Sequence, residues 1–339
     1  MELMAHYTFA VSNPEIDPDL DRAATKMVVQ TALDFPWLLH EILAISSRHL
    51  AFASPGRAAF YRAQASQLQT QALHLFNRRG EDDGSGIDET NCAAAVLFSS
   101  TLGRHLLADT LEDLHRRGTT DDGNDMSEES RKYDSEAALD RYCGYLQVHH
   151  GLRAVASSSW PHLMESDLWP LIALAGRIHT PRSSVRGTEL RELSRWVETE
   201  AFGNTTTTTT TTAGLRDDEE RRACLEAIDL LQIGLDESSL ATGKSTLSSA
   251  LPRSSRQAQQ HQMTFTWPVR CPAKLGELIR KRSPPALVTL AHYAVLLHLS
   301  RDLWQVGPVA PRFLQVISDV LGTRYDARLA WPRAVVWGG

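Results

Sequence analysis

The stretch Ser283-Pro284-Pro285-Ala286-Leu287-Val288-Thr289-Leu290-Ala291-His292-Tyr293-Ala294-Val295-Leu296-Leu297-His298-Leu299 decides the fold class. Its proline pair pre-sets the backbone of a first helical turn, where amide hydrogens have no intrahelical acceptor to lose. Beyond it Leu287, Leu290, Ala291, Ala294 and Leu297 recur at spacings of three and four and form one stripe. Val288, Val295, Leu296 and Leu299 nearly fill the other faces. A helix that is apolar on all sides must be enclosed by other helices. Valine is a mediocre helix former, so stability has to come from burial, at roughly 1.5 to 3 kcal/mol for each large aliphatic side chain removed from water. The segment Ser283 to Arg301 is therefore expected to be the centre of an all-α fold.

Working outward, the same period recurs along the chain, and no run of β-branched residues alternates with polar ones for long enough to suggest a strand. Asp34 is a plausible cap for a helix with Pro36 in its first turn, and Leu39, Ile42, Leu43, Ser46 and Leu50 trace one face to about Phe52. Ser54-Pro55 ends it. A second helix, Gly56 to Asn77, is expected to bury Phe60, Ala63, Leu68, Ala72, Leu75 and Phe76, with a glycine-punctuated break at Gly80 to Gly86. Further helices are expected from Asp88 to about Asp109 and from Ser135 to Ala156. Three polar or low-complexity segments, about 118–130, 203–214 (with the threonine run Thr205 to Thr212) and 238–262, lack the apolar residues that would offset the entropy of ordering them and are read as disordered loops. The expectation is a single large multi-helix domain over residues 1–339 with loop insertions.

An apolar content of 42% supplies a core, and a net charge of -6 with basic and acidic residues interleaved leaves no basic stripe for phosphates. Direct nucleic-acid binding is not expected. Cys92, Cys143, Cys224 and Cys271 stand too far apart for a metal-ligand spacing or a secreted disulfide framework, which suggests a reducing compartment. Residues Met1 to Ala10 lack the charged and apolar regions of a signal peptide, and no apolar stretch is long enough to span a membrane.

The 13 histidines form neither His-x-x-x-His nor His-Glu-x-x-His: His40-Glu41 is followed by His49, and His292 and His298 are six apart. These and His149-His150 read as partly buried, hydrogen-bonded histidines. Asp109, Glu112 and Asp113 share a helical face that could hold Mg²⁺, as aspartate-rich motifs do in terpene cyclases, but His115, Arg116 and Arg117 follow at what looks like a helix end, so solvated charge is the expectation. Gly84-Ser85-Gly86 has no preceding strand, and Ser157, Ser158 and Ser159 read as a helix-ending loop. No catalytic residue, metal site or cofactor is assigned.

Three segments together resemble the regulatory region of fungal zinc-cluster transcription factors, in the branch of the sterol uptake control proteins. The first is Leu3 to Thr8 followed by Phe35-Pro36-Trp37-Leu38-Leu39-His40 and the run from Ala44 to Ala51. The second is Tyr145-Leu146-Gln147 with Gly151-Leu152-Arg153-Ala154, leading to Trp160-Pro161. The third is Thr266-Trp267-Pro268-Val269, then Pro284-Pro285-Ala286-Leu287 and Leu290 to His298. The resemblance implies a helical ligand-sensing domain that takes a sterol or terpenoid-like hydrophobic molecule, in a nuclear and cytoplasmic protein. On that reading Leu290, Ala294, Leu297, Trp304, Gly307, Phe98 and Leu102 are the candidate ligand-binding residues, with Val306 and Phe313 beside them. The six-cysteine zinc cluster that precedes this region in the family has no counterpart, since the match begins at Leu3: the chain is truncated, its first exons are missing, or it has dispensed with DNA. The aromatic stretch expected after the long helix is thinned to Asp302-Leu303-Trp304-Gln305, which leaves room for another hydrophobic metabolite. Two alternatives stand beside this one. One is a helical enzyme of secondary metabolism using His105, Asp109, His149 or His150 as acid/base groups. The other is a scaffold that dimerises with itself or with zinc-cluster factors.

Overall fold

The computed structural model describes residues 1–11, 18–82, 87–119, 127–158, 160–166, 168–169, 187–202, 212–236 and 253–338. Among the described residues the regular elements are all helical and no strand occurs, so the all-α expectation holds. In chain order the helices are α1 (Glu2–Ala10), α2 (Pro18–Asp34), α3 (Pro36–Ala53), α4 (Ala58–Asp82), α5 (Cys92–Thr119), α6 (Glu128–Ser158), α7 (Trp160–Glu165), α8 (Arg191–Thr199), α9 (Thr212–Asp236), α10 (Arg253–Arg270), α11 (Ala273–Arg280), α12 (Pro284–Leu299), α13 (Ala310–Leu321) and α14 (Asp326–Trp337). By its contacts the chain divides into two compact units, Met1–Ala108 with Val148–Thr180 and Asp109–Gln147 with Pro181–Gly339.

The first unit is built on α3. Pro36 takes its first position, as read from the sequence, but Asp34 is the last residue of α2 and the capping position falls to Phe35. The expected stripe is too narrow. Trp37, Leu38, Glu41, Ile42, Ala44, Ile45 and the run Ser46 to Arg48 are all buried, while Leu39, Leu43 and Leu50 are only half-buried. Small and hydroxylated residues allow this close enclosure, because their polar atoms find backbone partners: Ser46 Oγ donates to Leu3 O (2.7 Å) and Ser47 Oγ to Tyr61 O (2.9 Å). Trp37, Phe76 and Phe98 form an aromatic nucleus, with Phe76 stacked on Phe98 at 4.4 Å and Trp37 edge-on to both.

Helix α4 departs from the sequence reading only in its first turns, where Tyr61 and Ala65 are buried and Phe60 and Ala63 exposed; further on Ala72 is buried and Leu75 and Phe76 pack against the core as expected. It also runs through Gly80 to Asp82, where a break was expected; the rest of that break, 83–86, lies outside the described residues. Helix α5 starts at Cys92, preceded by a turn in which Asp88 Oδ1 accepts from the Thr90 and Asn91 amides.

In the second unit α12 is enclosed as its sequence demands: every residue from Pro285 to Leu297 is buried. Helix α11 ends at Arg280 with Lys281 as its cap, and Arg282 follows with a φ of 58°, the left-handed conformation that ends helices and usually selects glycine. Its side chain compensates by donating to Glu136 O at 2.9 Å and Asp140 Oδ1 at 2.8 Å.

The expected loops were drawn too wide. Helix α5 runs to Thr119 and α6 begins at Glu128, leaving 120–126 outside the described residues; Thr212 already belongs to α9, leaving 203–211 outside. Most of the difference lies in 238–262, of which Arg253 to Gln262 are helical and 237–252 are outside the description.

Candidate functional site

The C-terminal end of α12 is the most polar place in the core of the second unit. Gln257, Gln260, His261 and Thr264 fall at i, i+3, i+4 and i+7 of α10 and so share one face. Each meets the end of α12 or the turn after it. Gln257 Nε2 donates to Asp302 Oδ2 (2.9 Å), Gln260 Nε2 to Leu299 O (2.7 Å) and His261 Nε2 to Asp302 Oδ1 (3.1 Å). Thr264 Oγ1 and Ser300 Oγ share a hydrogen bond of 2.8 Å. Gln260, His261, Thr264 and Ser300 are all buried, and His261 Nδ1 has no hydrogen-bond partner.

One turn further, α10 contains Pro268, which has no amide hydrogen to give to the carbonyl of Thr264 four residues earlier. Tyr293 of α12 fills that role: its hydroxyl donates to Thr264 O at 2.7 Å. Its ring stacks on Trp267 at 4.4 Å, and Trp267 Nε1 donates to Ala227 O at 3.0 Å. Burial holds the Tyr293 phenol well above its ordinary pKa, so it remains a donor.

The expected ligand residues separate between the units. Phe98 lies in the aromatic nucleus of the first unit, where Leu102 packs into the same cluster. Leu290, Ala294 and Leu297 lie on α12 in the second unit and have no exposed surface; Trp304 and Gly307 follow in the turn region after it and are half-buried, Gly307 with a φ of 58°. Val306 and Phe313 are buried in the same unit. A small cavity of about 10 Å³ lies among Leu111, Leu114, Leu139, Tyr142, Phe313 and Val316. That is about the room one water molecule needs. Phe313 thus joins the only part of the expected set that borders this cavity.

Of the acid/base candidates, His105 and Asp109 stand one turn apart on α5, and His149 and His150 are neighbours on α6. His105 Nδ1 donates to Glu41 Oε1 at 3.0 Å, with both side chains sealed from solvent. His149 packs against Gly103, where an added Cβ would collide with its ring. Burial pushes its pKa down to about 4, so it is neutral near pH 7. His292, donating from Nδ1 to Val288 O at 2.8 Å and stacked on Trp331, is likewise held at about 4 by burial.

Helix α5 continues past Asp109 to Thr119, so Asp109, Glu112 and Asp113 lie within it and His115 to Arg117 lie near its end, as read; Asp113 pairs with Arg116 at 3.4 Å and with Arg141 of α6 at 3.0 Å. Among the described residues no group of three or more His, Cys, Asp or Glu side chains could hold a metal ion, and no helix is long and apolar enough to cross a membrane. Ser157 and Ser158 are helical, and Ser159 lies outside the described residues.

Sequence reasoning missed the Gln257–Gln260–His261–Thr264 face because it has no apolar stripe to mark it. It missed the contact of His6 with His49 as well, since 43 residues separate them. Comparison with protein-family models, with curated proteins and with solved structures finds no match.

Proposed function

We propose that the chain is a helical regulatory module of the kind that accompanies fungal zinc-cluster DNA-binding modules, responding to a sterol or other hydrophobic metabolite and working in the nucleus and cytoplasm. The observation that supports this reading is that the separate pieces of sequence on which the resemblance rests pack against each other. Within the first segment, Leu3 and His6 of α1 meet Ser46 and His49 of α3 at 2.7 and 2.8 Å. Within the third, Trp267 stacks on Tyr293 at 4.4 Å.

A ligand of sterol size needs a pocket of roughly 300 Å³ or more. The cavity beside Phe313 is about 10 Å³, so binding requires helices of the second unit to part. Such a ligand stabilises the state it binds by mass action. The test is thermal denaturation of the chain against a panel of sterols and terpenoids, with a rise in melting temperature that scales with ligand concentration as the expected result. A flat melting temperature across the panel refutes the sensing role.

A dimerising role is the second reading, with a like chain or a zinc-cluster factor as partner. Phe9, Phe52 and Phe60 of the first unit favour it, because each is more than half exposed. Light scattering over a concentration series decides it: a monomer at all concentrations removes the self-association version.

A further inference from the structure

Helix α1 contains no fully buried residue; Met4 and Tyr7 pack half-buried against the core of the first unit, and polar contacts add to the docking. Ser46 Oγ donates to Leu3 O, Tyr61 Oη donates to Glu2 Oε1 at 2.9 Å, and His6 Nε2 meets His49 Nδ1 of α3 at 2.8 Å. The two imidazoles are 4.9 Å apart between ring centres, tilted by 31°, and both are half-buried. Two nitrogen donors on neighbouring helices are thereby brought to one point, although the sequence contains no two-histidine motif.

From this geometry we infer that His6 and His49 form a two-histidine site for a transition-metal ion of imidazole preference, Cu²⁺ or Ni²⁺ first, which clamps α1 onto α3. At metal–nitrogen distances of about 2.0 Å, two ligands adjacent in a square plane stand about 2.8 Å apart, whereas a tetrahedral centre needs about 3.3 Å. The observed 2.8 Å between the nitrogens is close to the square-planar separation. Each ring has to turn so that both lone pairs meet off the line between the nitrogens, and the partial exposure of His6 leaves room for that. Water completes the coordination sphere. Glu2, one helical turn before His6 on the same face, supplies a carboxylate that offsets the Arg57 guanidinium 4.0 Å away from it. The metal replaces the hydrogen bond between the rings with two coordinate bonds, so the consequence is tighter docking of α1.

The probe is the metal alone, CuSO₄ or NiCl₂, titrated calorimetrically into the full chain in a non-chelating buffer. The expected result is saturable one-to-one binding, a Cu²⁺ electron paramagnetic resonance spectrum with two nitrogen ligands, and slower amide exchange in α1 when metal is bound. His6→Ala and His49→Gln should each weaken binding at least tenfold, while His115→Ala leaves it unchanged. Because α1 has no buried side chain, His6→Ala should retain the far-ultraviolet dichroism of the parent. Absence of saturable binding by either metal overturns the inference, as does binding that survives both substitutions.

Discussion

Replacing Tyr293 with Phe removes one oxygen atom and keeps the ring stacked on Trp267. In the native chain that oxygen donates to Thr264 O, the carbonyl that Pro268 leaves without a helical partner. Thr264 and Tyr293 have no exposed surface, so water cannot take over. An unsatisfied buried acceptor costs about 1–3 kcal/mol, and we expect a loss of about 2 kcal/mol. For a unit of this size that corresponds to a fall in melting temperature of about 4–8 °C. Urea denaturation followed by tryptophan fluorescence measures it, since Trp267 reports from the same stack. A second substitution isolates the cause. Pro268→Ala restores an amide hydrogen that can reach Thr264 O along the helix, so Tyr293→Phe should cost much less in that background. If the tyrosine substitution costs the same with and without Pro268, the idea that α12 repairs a broken backbone bond in α10 is wrong.

Leu290→Asp places a carboxylate where α12 has no exposed surface, and the second unit should fail to fold, seen as loss of a cooperative urea transition. The pH dependence of stability follows from His292. Its folded pKa of about 4 lies below the unfolded value of 6.5, so the unfolded chain takes up the proton first and stability falls as pH drops from about 6.5 to about 4. The loss from this group is about 3 kcal/mol over that window, and His292→Gln should flatten the slope in urea titrations at pH 7, 6 and 5; an unchanged slope contradicts the assignment. Gly103→Ala should destabilise the first unit by about 1–3 kcal/mol through overpacking against His149. A neutral result in differential scanning calorimetry would show that the His149 ring moves aside freely.

The helices that were legible in the sequence were those whose environment is apolar. The run Leu287 to Leu299 admits no state except enclosure, and Pro36 marks the start of α3 through its own backbone. Where alanine and glutamine dominate, as in α4, the sequence leaves the helix phase open. Packing against α3 then selects Tyr61 and Ala65 over Phe60 and Ala63. The Arg253 to Gln262 segment reads as a loop because Ala258 is its one apolar residue, yet its glutamines and histidine find partners at Leu299 and Asp302. Those partners are some 40 residues away in sequence, so local pattern carries no trace of them. Similarly, Asp113 reads as solvated charge, because nothing local shows that Arg141 of α6 pairs with it. The ligand residues were chosen for oiliness along the chain, a criterion that cannot tell two cores apart, and so Phe98 and Leu102 were grouped with residues of the other unit.

None of the four cysteines is in a disulfide and all are buried, Cys92 in the first unit and Cys143, Cys224 and Cys271 in the second. Burial pushes the Cys224 thiol up to about 12 and raises Cys92 and Cys143 as well, so little reactive thiolate forms at neutral pH. The molecule thus carries its own clocks: a sulfhydryl reagent can react only as fast as each region breathes open. A sensor that loosens one unit when its metabolite departs would announce the change as a burst of labelling at three sulfurs and silence at the fourth.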